Sequence, residues 1–478
     1  LIIENARYLA LTVLSENEKA NIPLDRTIDK YTDKFALLSK RDRALANALI
    51  YGVLRFRGKL DWIISRFSTR KINTLEPTVV YLLRMGLFQI IFLDKIPISA
   101  AVNTSVEMAK KISNKGAAGF VNAVLRKAGT GYSNLSPPDL NKDPALFIAI
   151  EKSMPLWLAK RWIKRFGLNK TLQLCDSINE IPFITIRTNS LKISREDLAQ
   201  KLENEAASVL LTKYEENGIS IAKPLIAVNE MEIFKKGYFH VQDEAAQIVT
   251  SMLLDPQPGE TLLDVCAGLG GKTGHMGQLM ENKGRIIAID IDINKLQHLE
   301  TGMKRLGISI VSIQKRDILK PAIITSKEES LGNLSLNRRI SSFTELYDRV
   351  LLDAPCTGLG VLRRNPDSKW ARSYRDIKRL SQKQKTMLLK AAKHVKLNGV
   401  LVYSVCSCEP EENENVINYF LEKRPDFMIN HNIKPIHNDL YKTMISDDGF
   451  FRTYPDHYNM DGFFAVSLKR NKDQKETY

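Results

Sequence analysis

The chain has 478 residues, with 70 Lys and Arg against 54 Asp and Glu and a net charge of +16 at pH 7. Such a length is two or three domains, each able to bury its own core, and such a basic surplus points to a polyanionic partner rather than to any property of the fold. Five cysteines, odd in number and without metal-ligand spacing, argue against a disulfide scaffold or a metal site and fit a reducing cytoplasm.

Leu1 to Leu9 carries charges inside its apolar run and lacks the shape of a signal peptide. From there to residue 132 the apolar period is helical. Leu45, Leu49, Val53, Phe56, Leu60, Ile63 and Phe67 step by three and four and share one face. Val79 to Leu93 is apolar on nearly all sides and is expected to be the most buried helix. Arg84 and Gln89 interrupt it, and it is too short to span a bilayer, so no membrane association is expected. Residues 1–132 therefore read as an all-α domain, and Gly129 to Pro138, with its glycines and paired prolines, as a linker.

Residues 144–238 mix periods and read as a small α/β module. Leu156 to Phe166 is helical with Lys160, Arg161, Lys164 and Arg165 on a basic face; Phe183 to Asn189 and Gly218 to Ala222 are strands; Ser194 to Glu203 is a helix. In residues 239–470 short apolar strands alternate with helical stretches, which predicts a doubly wound parallel sheet. Its strands are Thr261–Val265, Arg285–Ile289, Ile308–Ile313, Arg349–Leu352 and Val400–Ser404, and the Ser-rich interval between Pro321 and Leu346 reads as a disordered insertion.

The first of these strands runs into Cys266, Ala267, Gly268, Leu269, Gly270, Gly271 and Lys272, where glycines let the backbone turn tightly towards a ligand at a helix amino end. A phosphate-binding P-loop would need glycine where Cys266 stands, and a dinucleotide fingerprint would need it at Thr273. An adenosine ligand without a cradled pyrophosphate, such as S-adenosylmethionine, fits better. Asp290 closes the next strand, where a carboxylate holds a ribose diol, and Asp317 closes the third, where an adenine would lie.

Two further strands each close on a cysteine, Cys356 after Asp353-Ala354-Pro355 and Cys406 after Tyr403-Ser404-Val405. A free cysteine is ordinarily a small buried hydrophobe; Cys175 is left in that role, and Cys408 is given none. Two at the carboxyl rim of one sheet instead suggest covalent catalysis, because thiolate is the strongest nucleophile a protein offers near neutral pH. Cations that could favour thiolate are Lys272 and the pair Arg363/Arg364. The run from Arg363 to Lys385, with Lys369, Arg372, Arg375, Lys378, Arg379 and Lys383, predicts a phosphate-binding surface beside that rim.

In order, Gly270-Gly271-Lys272-Thr273, Asp290, Asp317, Asp353-Ala354-Pro355-Cys356 and Tyr403-Ser404-Val405-Cys406-Ser407 with Pro410-Glu411-Glu412-Asn413 resemble the Sun-type RNA cytosine-5 methyltransferases. The pairing of a Pro-Cys motif with a later Cys-Ser motif is highly specific to them. The resemblance runs the whole chain: Asn365-Pro366-Asp367, Lys369-Trp370 and Gly462-Phe463-Phe464-Ala465 also match, and the helical first third is similar to the NusB-like RNA-binding domain of bacterial members. It implies a multidomain fold: an all-α NusB-like domain, a small α/β linker module and an α/β Rossmann-like S-adenosylmethionine-dependent methyltransferase domain. It implies that Cys266 to Lys272 line the methionine and ribose end of S-adenosylmethionine, that Asp290 holds the ribose and Asp317 the adenine, and that Asp353 lies between cofactor and base. Cys406 is then the nucleophile and Cys356 assists release. The implied substrate is a cytosine of 16S ribosomal RNA, in an unassembled or partly assembled small subunit, acted on by a monomer. One departure stands out: Gly268-Leu269 replaces the family's Ala-Pro, which predicts a looser loop and weaker cofactor binding. From the residues alone, a non-catalytic RNA-binding protein and a methyltransferase for small molecules or protein remain alternatives.

Overall fold

The computed structural model describes residues 5–20, 22–320, 345–433 and 443–471. The Ser-rich interval therefore lies outside the described residues up to residue 344. The chain forms two compact units: residues up to Ile181 together with Leu362–Arg372, and Pro182–Val361 together with the chain from Ser373 onward.

The first unit is helical. The apolar face running from Leu45 to Phe67 belongs to two helices, Lys40–Arg55 and Arg57–Phe67, separated at Phe56, whose φ of −107° and ψ of 16° leave the helical region. Pro77–Phe92 starts with proline in its first turn, where the missing N–H costs nothing, and is buried from Val79 to Gln89. Its Arg84 is held by both oxygens of Asp61, at 2.7 and 2.9 Å. The helix Lys115–Gly131 continues through Gly129 and Gly131, which the glycine pattern had placed in a linker. Burial decides this: Gly129 lies so close to Ile98 that a Cβ would stand 2.9 Å from its methyl group.

Three shorter helices, Pro144–Glu151, Leu156–Phe166 and Leu168–Asn179, follow in this unit, with Lys160 and Lys164 exposed. Leu362–Arg372 is bound into it through its own hydrogen bonds. Lys369 Nζ donates to Asn179 Oδ1 at 2.7 Å and to the Arg55 carbonyl at 3.2 Å, Arg55 donates to the Arg363 carbonyl at 2.6 Å, and Trp370 Nε1 donates to the Leu54 carbonyl at 2.6 Å. Burial pulls the Lys369 ammonium down to about 7. Arg363 and Lys369, two of the nine basic residues of the expected phosphate-binding run, are thus interior.

The second unit opens with a four-stranded antiparallel sheet of β1 (Ile184–Thr188), β2 (Ala206–Leu211), β3 (Gly218–Pro224) and β4 (Phe239–Val241), in the order β2-β3-β1-β4. The large sheet contains β5 (Thr261–Asp264), β6 (Arg285–Asp290), β7 (Val311–Lys315), β8 (Tyr347–Asp353), β9 (Val395–Val405), β10 (Phe427–Ile429), β11 (Phe451–Thr453) and β12 (Phe463–Arg470). Its order is β10-β12-β9-β8-β5-β6-β7, with β11 paired to β12. The strands β5 to β9 are parallel, as expected, but β12 pairs antiparallel with β9 from Phe464↔Val405 to Lys469↔Val400, so the sheet is mixed. Every residue from Phe463 to Leu468 is buried, which suits a strand covered on both faces.

Arg187 on β1 is fully buried and donates to the Gly271 carbonyl at 2.9 Å, to Gln242 and to Gln278, while Asn189 donates to the Leu306 carbonyl at 2.9 Å. The Gly271 and Gln278 bonds tie the small sheet to the helix that follows the glycine loop, and the Leu306 bond ties it to the helix Ile293–Leu306.

Candidate active site

The parallel strands end on one rim, and the expected site residues lie there because β5, β6, β8 and β9 finish at Asp264, Asp290, Asp353 and Val405. After β5 the chain turns through Gly268 and Gly270, both with left-handed φ, 55° and 87°. A side chain is strained at either position, and at Gly270 a Cβ would also stand 2.7 Å from Leu299 Cγ. The Gly268 N–H donates to Asp290 Oδ2 at 3.0 Å, and the Asp292 N–H to Asp290 Oδ1 at 2.9 Å. Glycine at 268 therefore serves the turn that this chain makes, and Asp290 holds the loop as well as facing the rim. Leu269 at its tip is 55% exposed.

Beneath the loop, Asp264 accepts from Thr273 Oγ1 at 2.7 Å, and burial lifts its carboxyl to about 7. Lys272 Nζ donates to Asp353 Oδ2 at 2.6 Å and lies 5.3 Å from the centre of the Phe463 ring. The other oxygen, Asp353 Oδ1, accepts from Ser404 Oγ at 2.7 Å. Asp317 stands two residues beyond β7 and accepts from the Leu319 N–H at 3.0 Å. Cys266 is half-buried; desolvation first, then the charges of Asp290, Asp264 and Asp353, raise its thiol well above the usual value.

Cys356 Sγ and Cys406 Sγ are 3.2 Å apart. This follows from the pairing of β8 with β9, in which Asp353 faces Ser404. Gly360 keeps the approach open: its N–H donates to the Cys406 carbonyl at 3.0 Å, and a Cβ there would meet the Gly462 carbonyl oxygen at 1.9 Å. The Cys356 thiol is raised well above its ordinary range, first by its hydrogen bond with Cys406, then by burial, the Cys406 charge and the Glu412 charge. Of the cations expected to favour thiolate, Lys272 is engaged with Asp353.

Behind the cysteines lies a carboxylate to which the sequence had assigned no role. Glu412 is fully buried and accepts from the Thr357 N–H, Thr357 Oγ1, Ser407 Oγ and Gln384 Nε2. Its motif, Pro-Glu-Glu-Asn, was visible; which glutamate turned inward was not. Gln384 also donates to the Pro355 carbonyl at 3.0 Å, so its helix, Tyr374–Ala391, abuts the Cys356 loop and exposes Arg375, Lys378 and Arg379.

A doubly wound unit with a glycine loop and two cysteines on its rim, preceded by a helical part and a small antiparallel sheet, fits the methyltransferase class that the sequence resembles. Comparison with known proteins gives the particular family. A model of the 16S rRNA methyltransferase RsmB/F family matches residues 251–469, the NusB family model matches residues 4–129, and the ferredoxin-like domain model of the same methyltransferases matches residues 154–229. The probable ribosomal RNA small subunit methyltransferase B of Bacillus subtilis (strain 168) is 32% identical over 461 residues, covering 96% of this chain and 97% of that one. A protein of Synechocystis sp. with the same name is 33% identical over 470 residues, covering 98% and 99%. The crystal structure of PH0851 superposes with a TM-score of 0.77 at 25% identity over 97% of this chain and 99% of that one. A methyltransferase homolog protein from Pyrococcus horikoshii does so with a TM-score of 0.54 at 28% identity, over 70% and 100%. The chain belongs to the 16S rRNA methyltransferase RsmB/F family.

Proposed function

We propose that this protein methylates carbon 5 of a cytosine in 16S ribosomal RNA, using S-adenosylmethionine and a covalent bond between Cys406 and the base. The observation that carries the reading is the pair of sulfurs 3.2 Å apart on adjacent strand ends, on the rim that also holds the Asp353–Lys272 pair. The residues present fit the cofactor: the glycine loop is held open by left-handed glycines, and each Asp290 oxygen accepts one backbone N–H and keeps a lone pair for a ribose hydroxyl. Cys266 to Lys272, Asp290 and Asp317 would hold it, with Asp353 turned towards the base. When bound, S-adenosylmethionine supplies an electrophilic methyl group.

Carbon 5 of cytosine is a poor nucleophile until a thiolate adds at carbon 6. Cys406, deprotonated, forms the sulfur–carbon 6 bond, and the electron pair of the carbon 5–carbon 6 double bond moves onto carbon 5. Once carbon 5 carries the methyl group, its remaining proton leaves to Cys356, directly or through water; the double bond re-forms and the sulfur–carbon 6 bond breaks, returning Cys406 as thiolate. The Cys356 thiol is raised first by its hydrogen bond with Cys406 and then by burial, and formation of the sulfur–carbon 6 bond removes the Cys406 charge from beside it. The target base is reached only unpaired or flipped out, and the exposed Arg375, Lys378 and Arg379 supply phosphate contacts beside the rim. The reading places the protein in the cytoplasm, as a monomer acting on RNA not yet buried in a finished subunit.

The test is nucleoside mass spectrometry of unmodified 16S ribosomal RNA incubated with S-adenosylmethionine and the protein. We expect 5-methylcytidine from the native chain, none from Cys406→Ala, and a stable protein–RNA adduct from Cys356→Ala. Equal product from native and Cys406→Ala protein would refute the covalent route.

A further inference from the structure

The two thiols sit on loops that could drift apart, because Cys356 and Cys406 each lie just past the end of a strand. The residue after each is held by one side chain. Glu412 Oε1 accepts from the Thr357 N–H at 2.9 Å and from Gln384 Nε2 at 3.0 Å, and Glu412 Oε2 accepts from Thr357 Oγ1 and Ser407 Oγ, both at 2.5 Å. Four donors take up the acceptor capacity of a carboxylate, and charge-assisted bonds of this kind are about twice as strong as neutral ones. Glu412 is itself anchored: its carbonyl accepts from the Tyr403 hydroxyl of β9 at 2.6 Å, the neighbouring Glu411 carbonyl accepts from Ser381 Oγ at 2.5 Å, and Asn413 Nδ2 returns to the Ser407 carbonyl at 3.2 Å.

We propose that Glu412 is a positioning residue that sets the separation of the Cys356 and Cys406 thiols by holding the residue that follows each. Burying a carboxylate is costly, and its own pKa is raised by that burial despite the bonds from Ser407, Thr357 and Gln384. That cost is met by four donors that would otherwise be buried without partners, at a place where two reacting groups need a fixed spacing. A second consequence follows from charge: Glu412 adds to the forces that keep Cys356 protonated beside Cys406. In catalysis this role rests on the two-thiol reading above, but the spacing itself is measurable without RNA.

Phenylarsine oxide bridges two close thiols, forming two arsenic–sulfur bonds and releasing water. The native full-length chain should bind it through Cys356 and Cys406, and Cys356→Ser is the blank. Glu412→Gln keeps an acceptor for Thr357 N–H and Gln384 and donates to the two hydroxyls, so it should retain capture. Glu412→Ala and the shorter Glu412→Asp should weaken capture by at least about tenfold, the effect of losing one charge-assisted bond. Ser407→Ala, a mild deletion of one hydroxyl, should weaken it in the same direction and serves if the first two fail to fold. In 5-methylcytidine assays the variants that lose capture should lose kcat with little change in KM for RNA. Native-like capture by Glu412→Asp and Ser407→Ala, or no capture by the native chain, overturns the proposal. Capture that behaves as expected in a protein that forms no 5-methylcytidine instead overturns the reading of function and leaves the positioning role standing.

Discussion

Asp264 offers a sharp test of how this rim is built. It ends β5 at 1% exposure, accepts one hydrogen bond from Thr273, and has no partner for Oδ1 among the described residues. Burial, opposed by that bond and reinforced by the Asp353 charge, lifts its carboxyl from 3.8 to about 7. As the pH rises between those values the unfolded chain gives up a proton that the folded chain keeps, so stability falls through this window and levels off above about 7. A displacement of about three pH units at ~1.4 kcal/mol each amounts to ~4 kcal/mol, of which ~1.4 kcal/mol is lost between about pH 6 and pH 8. Asp264→Asn removes the titration and keeps an acceptor for Thr273. We expect it to stabilise the second unit, with a gain that grows by ~1.4 kcal/mol between those pH values. All four tryptophans, Trp62, Trp157, Trp162 and Trp370, lie in the first unit, so fluorescence would miss the effect. Hydrogen exchange of peptides covering β5 and β6, measured by mass spectrometry with correction for intrinsic rates, reads it directly. A gain that does not change with pH would refute the assignment of a raised carboxyl.

Other outcomes follow from single contacts. Gly360→Ala places a Cβ 1.9 Å from the Gly462 oxygen and 3.1 Å from the Cys406 carbonyl carbon, so it should displace the thiol; a misplacement near 1 Å lowers product formation about 100-fold, with RNA binding by filter retention unchanged. Asp61→Asn leaves the Arg84 guanidinium, 4% exposed, without its charge partner. Its cost should be about 3 kcal/mol, read as a shift in urea unfolding followed by tryptophan fluorescence. Lys369 is depressed from 10.5 to about 7, so the unfolded chain holds the extra proton between those values and the first unit should gain stability as pH rises above 7. Lys369→Met should flatten that rise in the same fluorescence measurement.

Much of the site was legible because it is written in short range. Apolar strands that end in Asp264, Asp290, Asp353 and Val405 have a local period, and a parallel sheet brings all such ends to one rim. The glycine loop and the two strand-end cysteines could thus be placed on that rim before any distance was known. The buried helix Pro77–Phe92 was visible for the same reason. Lys369 shows the converse: in a basic run it reads as surface, yet it lies at 0% exposure on Asn179 and the Arg55 carbonyl. Nothing within several residues of it carries that information.

Sequence by itself determined that five parallel strands exist in the large sheet, with the third beginning three residues later than expected, as Val311–Lys315, together with the loop, the helical first third and the residue types at the strand ends, since these depend on the period and chemistry of neighbouring residues. Tertiary structure alone decided that β12 enters antiparallel beside β9, that Lys272 is spent on Asp353, that the two sulfurs lie 3.2 Å apart, and that Glu412 holds the residue after each. Each of the latter joins segments far apart in the chain, and the free energy that selects among such pairings comes from burial and hydrogen bonding that exist only once the sheet has closed.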